Sequence, residues 1–356
     1  MVRITRRRGR FGFRVDKKHD FDLAFWRHYE DVMEAVAKFR PDIVHITGPS
    51  DVGQLGALVA HRLRVPLAGS WHTNLHQYAE QRASGLLSLL PGVARHRTGA
   101  AIRELSLAAI LRFYKIPCVL FAPNPELMDL LERGTGKPVY PMRRGVDTSL
   151  FTPERRDRTD RKFVIGYVGR LTVEKNIRFL AELESALDKN GMTNFSFSIV
   201  GQGDEEPWLR ANLRKADFAG VLRGGALARA YANMDVFAFP SRTDTFGNVV
   251  LEALASGVPA IVTDSGGPQF IVQRGETGFV ARNITEFVSR IRYLAENQEE
   301  LRVMREAARA DALLASWDCI FEGVYAGYRH VLRHESPAGR NVSVRPQPSV
   351  AVPPLN

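Results

Sequence analysis

Between Ser241 and Glu252 the chain reads Ser-Arg-Thr-Asp-Thr-Phe-Gly-Asn-Val-Val-Leu-Glu. An apolar strand, Val236 to Pro240, leads into it, and a helix expected over Val249–Ser256 and closed by Gly257 follows. Thr245, Phe246, Gly247, Asn248 and Val249 then fall where the first N–H groups of a helix have no partner. Such a turn offers free donors and the positive end of a helix dipole to an anion. Asp244 on the loop and Glu252, about two turns further on, bracket it. Anion-binding donors beside two carboxylates suit a ligand with a charged part and a polyhydroxyl part, such as a sugar nucleotide. The same residues also fit a plain strand–helix connection capped by an aspartate.

A second stretch, Tyr167-Val-Gly-Arg-Leu-Thr-Val-Glu-Lys-Asn176, carries two cations just past an apolar strand. Gly169 ends the strand, and Arg170 and Lys175 follow at its carboxyl end, where open α/β sheets form their ligand crevice. Arginine can grip a phosphate at two points, and lysine acts as a mobile point charge. Read blandly, both are surface residues. Gly201-Gln-Gly-Asp-Glu-Glu206 is half of a dinucleotide fingerprint: Glu206 stands where the third glycine belongs, and the acids would repel a pyrophosphate. A Rossmann dehydrogenase is therefore excluded there. His72, in Ser70-Trp-His-Thr-Asn74, places an imidazole at a strand end, as a structural group or as part of a site between domains. Asp20-Phe-Asp22 has the form of a metal-binding DxD but precedes an amphipathic stretch and reads as helix capping, so no metal is expected.

These residues need a scaffold, and the chain alternates short β-branched runs with helical stretches, the mark of doubly wound α/β architecture. Its 356 residues suggest two domains at about 150 residues each. In the first half, strands are expected at 43–47, 67–71, 117–121 and 137–142, and helices at 25–39, 52–64, 98–114 and 126–133. A break at Gly145–Asp147 and the charged run that follows Phe151 separate a second series. Its strands are expected at 163–168, 195–200, 218–222, 236–239 and 260–263. Its helices are expected at 174–189, 205–215, 227–233 and 249–256, and further helices at 284–297, 299–314 and 317–332. The domains are then 1–150 and 151–316, with a helix at 317–333 crossing back to the first and a disordered Pro-rich tail at 334–356.

No run approaches the ~20 apolar residues of a membrane span, and the arginine-rich start is not a signal peptide. Cys118 and Cys319 match no metal or redox spacing and read as reduced thiols of a cytoplasmic protein. The net charge of +10 is concentrated in the first eighteen residues, which read as a basic, disordered and solvated leader, with contact to anionic lipid or nucleic acid as the alternative. With only Phe11 and Phe13 available there for base stacking, nucleic acid is not expected as a partner.

Taken together, Gly169-Arg170…Glu174-Lys175, the Asp244–Glu252 segment, Ser256-Gly257-Val258-Pro259 and Gly266-Gly267-Pro268 resemble the retaining glycosyltransferases of family four. The resemblance runs from about Phe39 to Leu332. Arg-Pro-Asp-Ile-Val-His, Ser-Trp-His-Thr-Asn and Ser-Arg-Thr-Asp-Thr-Phe-Gly are most similar to the bacterial mannosyltransferase and sulfolipid-synthase-like branch. It implies the GT-B fold, two Rossmann-like doubly wound parallel-sheet domains facing each other across a cleft, with a hexose-type sugar moved from GDP-mannose or a UDP-sugar to a lipid or glycan hydroxyl. No cofactor or metal is implied.

By matching motifs, Arg170 and Lys175 would hold the diphosphate and Glu252 the ribose. Asp244, Phe246, Gly247 and Asn248 would meet the sugar or distal phosphate. The turn from Gly220 to Gly224, with Arg223, would lie along the base, and His72 would approach the anomeric centre. Asp244 stands where much of the family has glutamate. The strand and Gly-rich loop with which family members begin have no counterpart before Ile43, so the first domain reads as N-terminally truncated. Two further readings follow: a sugar-nucleotide epimerase of the same fold, and a non-catalytic nucleotide-sugar-binding protein. The expected place is cytoplasmic, or peripheral at the inner face of a membrane.

Overall fold

The computed structural model describes residues 12–16, 19–22, 25–75, 92–315 and 317–335. Strand β1 (Gly12–Asp16) pairs antiparallel with β2 (His19–Asp22) as a two-stranded hairpin. Part of the basic leader is thus regular, contrary to the expectation of an irregular arm. Asp20 and Asp22 lie within β2, six or more residues ahead of the N-cap position of the next α-helix. A 3-10 turn, Phe25–His28, leads into α1 (Tyr29–Phe39), whose N-cap position is His28 with no side-chain cap bond.

The first parallel sheet has the order β3-β4-β5-β6. Its strands are β3 (Val44–Ile46), β4 (Leu67–Ser70), β5 (Val119–Ala122) and β6 (Val139–Pro141). Both β4 and β5 are buried throughout, as a parallel strand covered on both faces should be. The crossovers are α2 (Asp51–Leu63), α3 (Gly92–Tyr114) and α4 (Pro125–Thr135). Side-chain caps start two of them: Ser50 Oγ accepts from Gly53 N at 3.2 Å, and Asn124 Oδ1 accepts from Leu127 N at 2.9 Å.

The second sheet is parallel, six-stranded and ordered β12-β11-β10-β7-β8-β9. It comprises β7 (Phe163–Val168), β8 (Phe195–Val200), β9 (Ala216–Gly220), β10 (Val236–Phe239), β11 (Ala260–Thr263) and β12 (Gly278–Ala281). Helices α5 (Phe179–Lys189), α6 (Glu206–Asn212), α7 (Gly224–Ala232), α8 (Asn248–Ala255), α9 (Ile284–Glu296) and α10 (Gln298–Leu314) cover it. Its core is aromatic and fully enclosed: Tyr167, Tyr231, Phe197, Phe237, Phe239 and Phe287 are all buried.

Three local differences from the sequence expectation have physical causes. Strand β9 lies two residues earlier than expected, because it is an edge strand of half-buried and exposed residues in alternation. The helix expected from Glu174 is broken: Val173–Lys175 form a 3-10 turn, Asn176 takes φ +53°, and α5 starts at Phe179. Helix α6 ends at Asn212 rather than continuing to Lys215.

Two links hold the sheets in relation to each other. The Arg309 guanidinium donates to the carbonyls of Phe151 (2.8 Å), Ala255 (2.7 Å) and Thr148 (3.0 Å), fixing the connecting segment to the second domain. Helix α11 (Trp317–Glu335) then lies against β5 and β6 of the first sheet. Its Tyr328 hydroxyl meets His45 Nδ1 at 2.5 Å, and the His45 ring stacks on Phe121 at 5.3 Å. Burial pushes His45 down to about pKa 4, so it is a neutral latch. The tail expected to be disordered falls mainly outside the described residues. No helix among the described residues is long and apolar enough to cross a membrane.

Candidate active site

In the second sheet the chain runs outward from β7 through β8 to β9, then returns to build β10, β11 and β12 on the other side. The order reverses between β7 and β10, and the crevice outside such a reversal is where open α/β sheets bind ligands. Both motifs singled out in the sequence leave the sheet there. Two side chains fasten their loops together: Thr243 Oγ1 donates to Glu174 O at 3.1 Å, and Asn176 Nδ2 donates to Pro240 O at 3.3 Å.

Between these loops Lys175 Nζ meets Asp244 Oδ1 at 2.5 Å, with side-chain exposures of only 13% and 19%. The pair joins residues 69 positions apart. Asp244 Oδ2 is buried without a partner, as is Thr172 Oγ1 at the start of the same turn. A buried carboxylate oxygen left unmatched costs on the order of 1–3 kcal/mol, and a ligand hydroxyl would remove that cost.

The other predicted residues are arranged around this pair without all touching it. Arg170 ion-pairs with Glu174 at 3.3 Å, is 55% exposed, and can swing toward a ligand. Glu252 accepts a hydrogen bond from Tyr231 Oη at 2.8 Å inside the core side of α8. Burial raises the Glu252 carboxyl pKa, and the Tyr231 bond opposes that rise. Tyr231 is wholly buried, and its hydroxyl requires this acceptor. Arg223 occupies the N-cap position of α7 and is exposed; Gly224 opens the same helix.

The turn from Thr245 to Asn248 has the shape an anion site needs. Gly247, at the N-cap of α8, takes φ +107°, a backbone that disfavours any side chain. Asn248 and Val249 then begin the helix, which has no acidic residue in its first turn to occupy the exposed N–H groups. Phe246 packs against the core of the second domain.

The first domain reaches this turn directly. Thr245 Oγ1 donates to the His72 carbonyl at 2.9 Å, and Asn124 Nδ2 donates to the Thr245 carbonyl at 2.7 Å. His72 thus touches the loop with its main chain. Its ring faces inward: Nε2 lies 2.7 Å from Ser70 Oγ, and Nδ1 lies 2.8 Å from Arg144 Nη2. A guanidinium can only donate, so Nδ1 accepts and Nε2 carries the proton. Burial, reinforced by the Arg144 charge, lowers His72 to about pKa 4. The imidazole is a neutral group of fixed tautomer.

Asn124, Tyr231, Ser70 and Arg144 escaped the reading of the sequence. Asn124 gave only a cap signal, before Pro125, and its second contact spans 121 positions. Tyr231 sits in an ordinary helical stretch, and nothing in its spacing points to Glu252.

Fold and crevice together define a two-domain α/β protein with a ligand crevice at the strand-order reversal of its second sheet, and comparison with known proteins supplies the family. A model of Glycosyltransferase Family 4 matches residues 3–150, and one of glycosyl transferases group 1 matches residues 162–297. A GDP-mannose-dependent alpha-mannosyltransferase of Mycolicibacterium smegmatis is 33% identical over 307 residues, 84% of this chain and 76% of that protein. The sulfoquinovosyl transferase SQD2 of Arabidopsis thaliana is 29% identical over 305 residues, 80% of this chain and 56% of that protein. In fold, the chain is similar to Anabaena Alr3699/HepE solved with UDP, at a TM-score of 0.63 and 15% identity, covering 85% of this chain and 82% of that one. The chain belongs to the family-four glycosyltransferases and has the GT-B fold. The match from residue 3 places the basic leader inside the family region, whereas the sequence resemblance began only near Phe39. The relatives named here are transferases, which does not favour an epimerase or a non-catalytic binding protein.

Proposed function

We propose that the protein is a retaining, metal-independent hexosyltransferase that moves a sugar, with GDP-mannose the first donor to test, onto a lipid or glycan hydroxyl. The single observation that carries this reading is the Lys175–Asp244 pair at the strand-order reversal, with Asp244 Oδ2 unmatched beside it. The GDP-mannose choice draws on the named mycobacterial relative, and the lipid acceptor on the sulfoquinovosyl relative.

In this reading the donor diphosphate lies over the N-terminus of α8 and exchanges the carboxylate on Lys175 for phosphate oxygens. Arg170 turns from Glu174 to join it. Breaking the anomeric C–O bond puts an electron pair on the diphosphate, and preorganised cations beside that growing charge lower the barrier. Glu252, held through one oxygen by Tyr231, receives the ribose hydroxyls on the other. Asp244, released from Lys175, accepts from the sugar, and Arg223 and Gly224 border the base. The first domain contributes the His72 main chain beside the sugar and brings the acceptor hydroxyl to the same face the leaving group vacates. The leaving phosphate takes the acceptor proton, so the anomeric configuration is kept. The basic leader and net charge of +10 would favour a place on an anionic inner membrane surface.

Incubation with GDP-mannose or UDP-glucose and a bacterial lipid extract tests this, with the product's anomeric configuration read by NMR. An α-linked glycolipid together with free GDP or UDP is expected. Sugar interconversion without acceptor, or nucleotide binding with no product in any lipid fraction, would overturn it.

A further inference from the structure

Thr245, in the turn between β10 and α8, is held by the first domain at two points. Its hydroxyl donates to the His72 carbonyl at 2.9 Å, just past β4, and its own carbonyl accepts from Asn124 Nδ2 at 2.7 Å, just past β5. Strands β4 and β5 are paired neighbours, so two adjacent strand ends of the first sheet close on one residue of the second domain. The residue before it is fastened to its own domain, where Gly267 N donates to the Asp244 carbonyl at 2.6 Å. The turn is tied to both domains within two residues.

Asn124 is buried, at 4% exposure, and uses both ends of its amide. Oδ1 accepts from Leu127 N at 2.9 Å and caps α4. A backbone N–H can only donate and a carbonyl can only accept, so the two partners together fix which way the amide lies. Capping alone needs just an oxygen, and aspartate or serine would serve α4 about as well. Aspartate, however, has no donor to offer the Thr245 carbonyl, and serine is too short to reach it. What asparagine adds is the bond between the domains.

We propose that Asn124 is a positioning residue that keeps the first domain, with the acceptor it carries, in register with the sugar-binding turn of the second. The inference rests on the glycosyltransferase reading above and deepens it. A single hydrogen bond, Thr245 to His72, fixes a distance and leaves rotation about it; the bond from Asn124 removes that freedom. Losing it frees the first domain from the turn, while the Gly267–Asp244 bond still holds the turn in the second. Lys175, Arg170 and Glu252 all belong to the second domain, so donor binding and its slow hydrolysis by water persist. Transfer needs the acceptor hydroxyl held on the line of approach, where a misplacement of 1 Å can cost about 10².

The test compares the full chain with Asn124→Asp and Asn124→Ser, which keep a capping oxygen, and with Asn124→Ala, which does not. Four quantities are measured for each: sugar transfer from GDP-mannose or UDP-glucose to a bacterial lipid extract, free sugar released from the same donor without extract, GDP and UDP affinity by calorimetry, and the thermal midpoint. The aspartate and serine variants should lose tenfold or more in transfer rate, with hydrolysis and nucleotide affinity within threefold of wild type. Their ratio of hydrolysis to transfer then rises tenfold or more at a thermal midpoint close to wild type. The alanine variant should match that ratio and melt earlier. Transfer within threefold of wild type in Asn124→Ser would overturn the proposal. So would equal losses of transfer and hydrolysis, or a matching loss of nucleotide affinity, which would leave Asn124 as a support of the fold alone. Failure of the wild-type chain to bind GDP or UDP would instead remove the underlying glycosyltransferase reading.

Discussion

Lys175→Ala is expected to lower kcat/KM for sugar transfer by roughly 10²–10³, the loss typical of removing one preorganised partner of a developing charge. In the free protein Lys175 is already neutralised by Asp244 at 2.5 Å. That pairing keeps the ammonium oriented and mostly dry until a diphosphate arrives. Removing the lysine alone would strand Asp244 in a buried position, and breaking a buried pair costs about 3–5 kcal/mol. A drop in thermal midpoint is therefore expected as well. The double variant Lys175→Ala/Asp244→Asn separates the effects: it should recover much of the stability and none of the transfer. Wild-type turnover in Lys175→Ala would remove the role assigned to this residue.

Gly267→Ala should be nearly as severe, although Gly267 is not expected to touch the donor. A Cβ there would lie 2.1 Å from the Thr245 carbonyl oxygen and 2.5 Å from Phe246 N. Both are backbone atoms, so no rotamer change relieves the clash. Gly267 N also donates to the Asp244 carbonyl at 2.6 Å. The loops after β10 and β11 are nested, and an alanine forces the turn from Asp244 to Gly247 outward. Overpacking of this kind costs about 1–3 kcal/mol of stability. Displacing the anion-binding turn by an ångström should lower donor affinity by about 10². Gly323→Ala is the control. Its added carbon would find no neighbour closer than 3.8 Å, in a helix remote from the turn, so affinity should not change. Undiminished GDP binding by Gly267→Ala would show that the turn does not hold the nucleotide.

Much of the fold could be read from the chain because its strands are buried on both faces. Four strands of the second sheet, 163–168, 195–200, 236–239 and 260–263, have the same limits in sequence and structure. Continuous apolar runs bounded by glycine and polar turns specify three of them locally, and 195–200, Phe-Ser-Phe-Ser-Ile-Val, is marked by apolar–polar alternation instead. Where burial is partial the signal fails: β9, at the edge, lies two residues from its expected place. The hairpin of β1 and β2 was missed because its composition is charged, and charge says nothing about backbone pairing. Asn176, in the left-handed region, ends a helical pattern that spacing alone would have continued.

The site was legible as separate motifs, and less so as contacts. Residue types and spacing drew attention to Lys175, Asp244 and Glu252, and topology puts the first two in contact. Glu252 turns instead to Tyr231, and Arg170 to Glu174. His72 was noticed for its ring, yet its carbonyl is what reaches the second domain. Contacts such as Asn124 to Thr245 or Arg144 to His72 join positions 121 and 72 residues apart. Nothing local in either segment records the partner.

In the proposed function one crevice, between β7 and β10, receives the nucleotide part of an activated sugar. Hydrogen–deuterium exchange of the full chain with and without saturating GDP reads that location residue by residue. Slowed exchange is predicted over 169–176 and 243–252, with little change around the separate cavity of about 540 Å³ lined by Arg156, Arg158 and Arg292. Protection at that cavity, with the two loops unaffected by bound GDP, would contradict it.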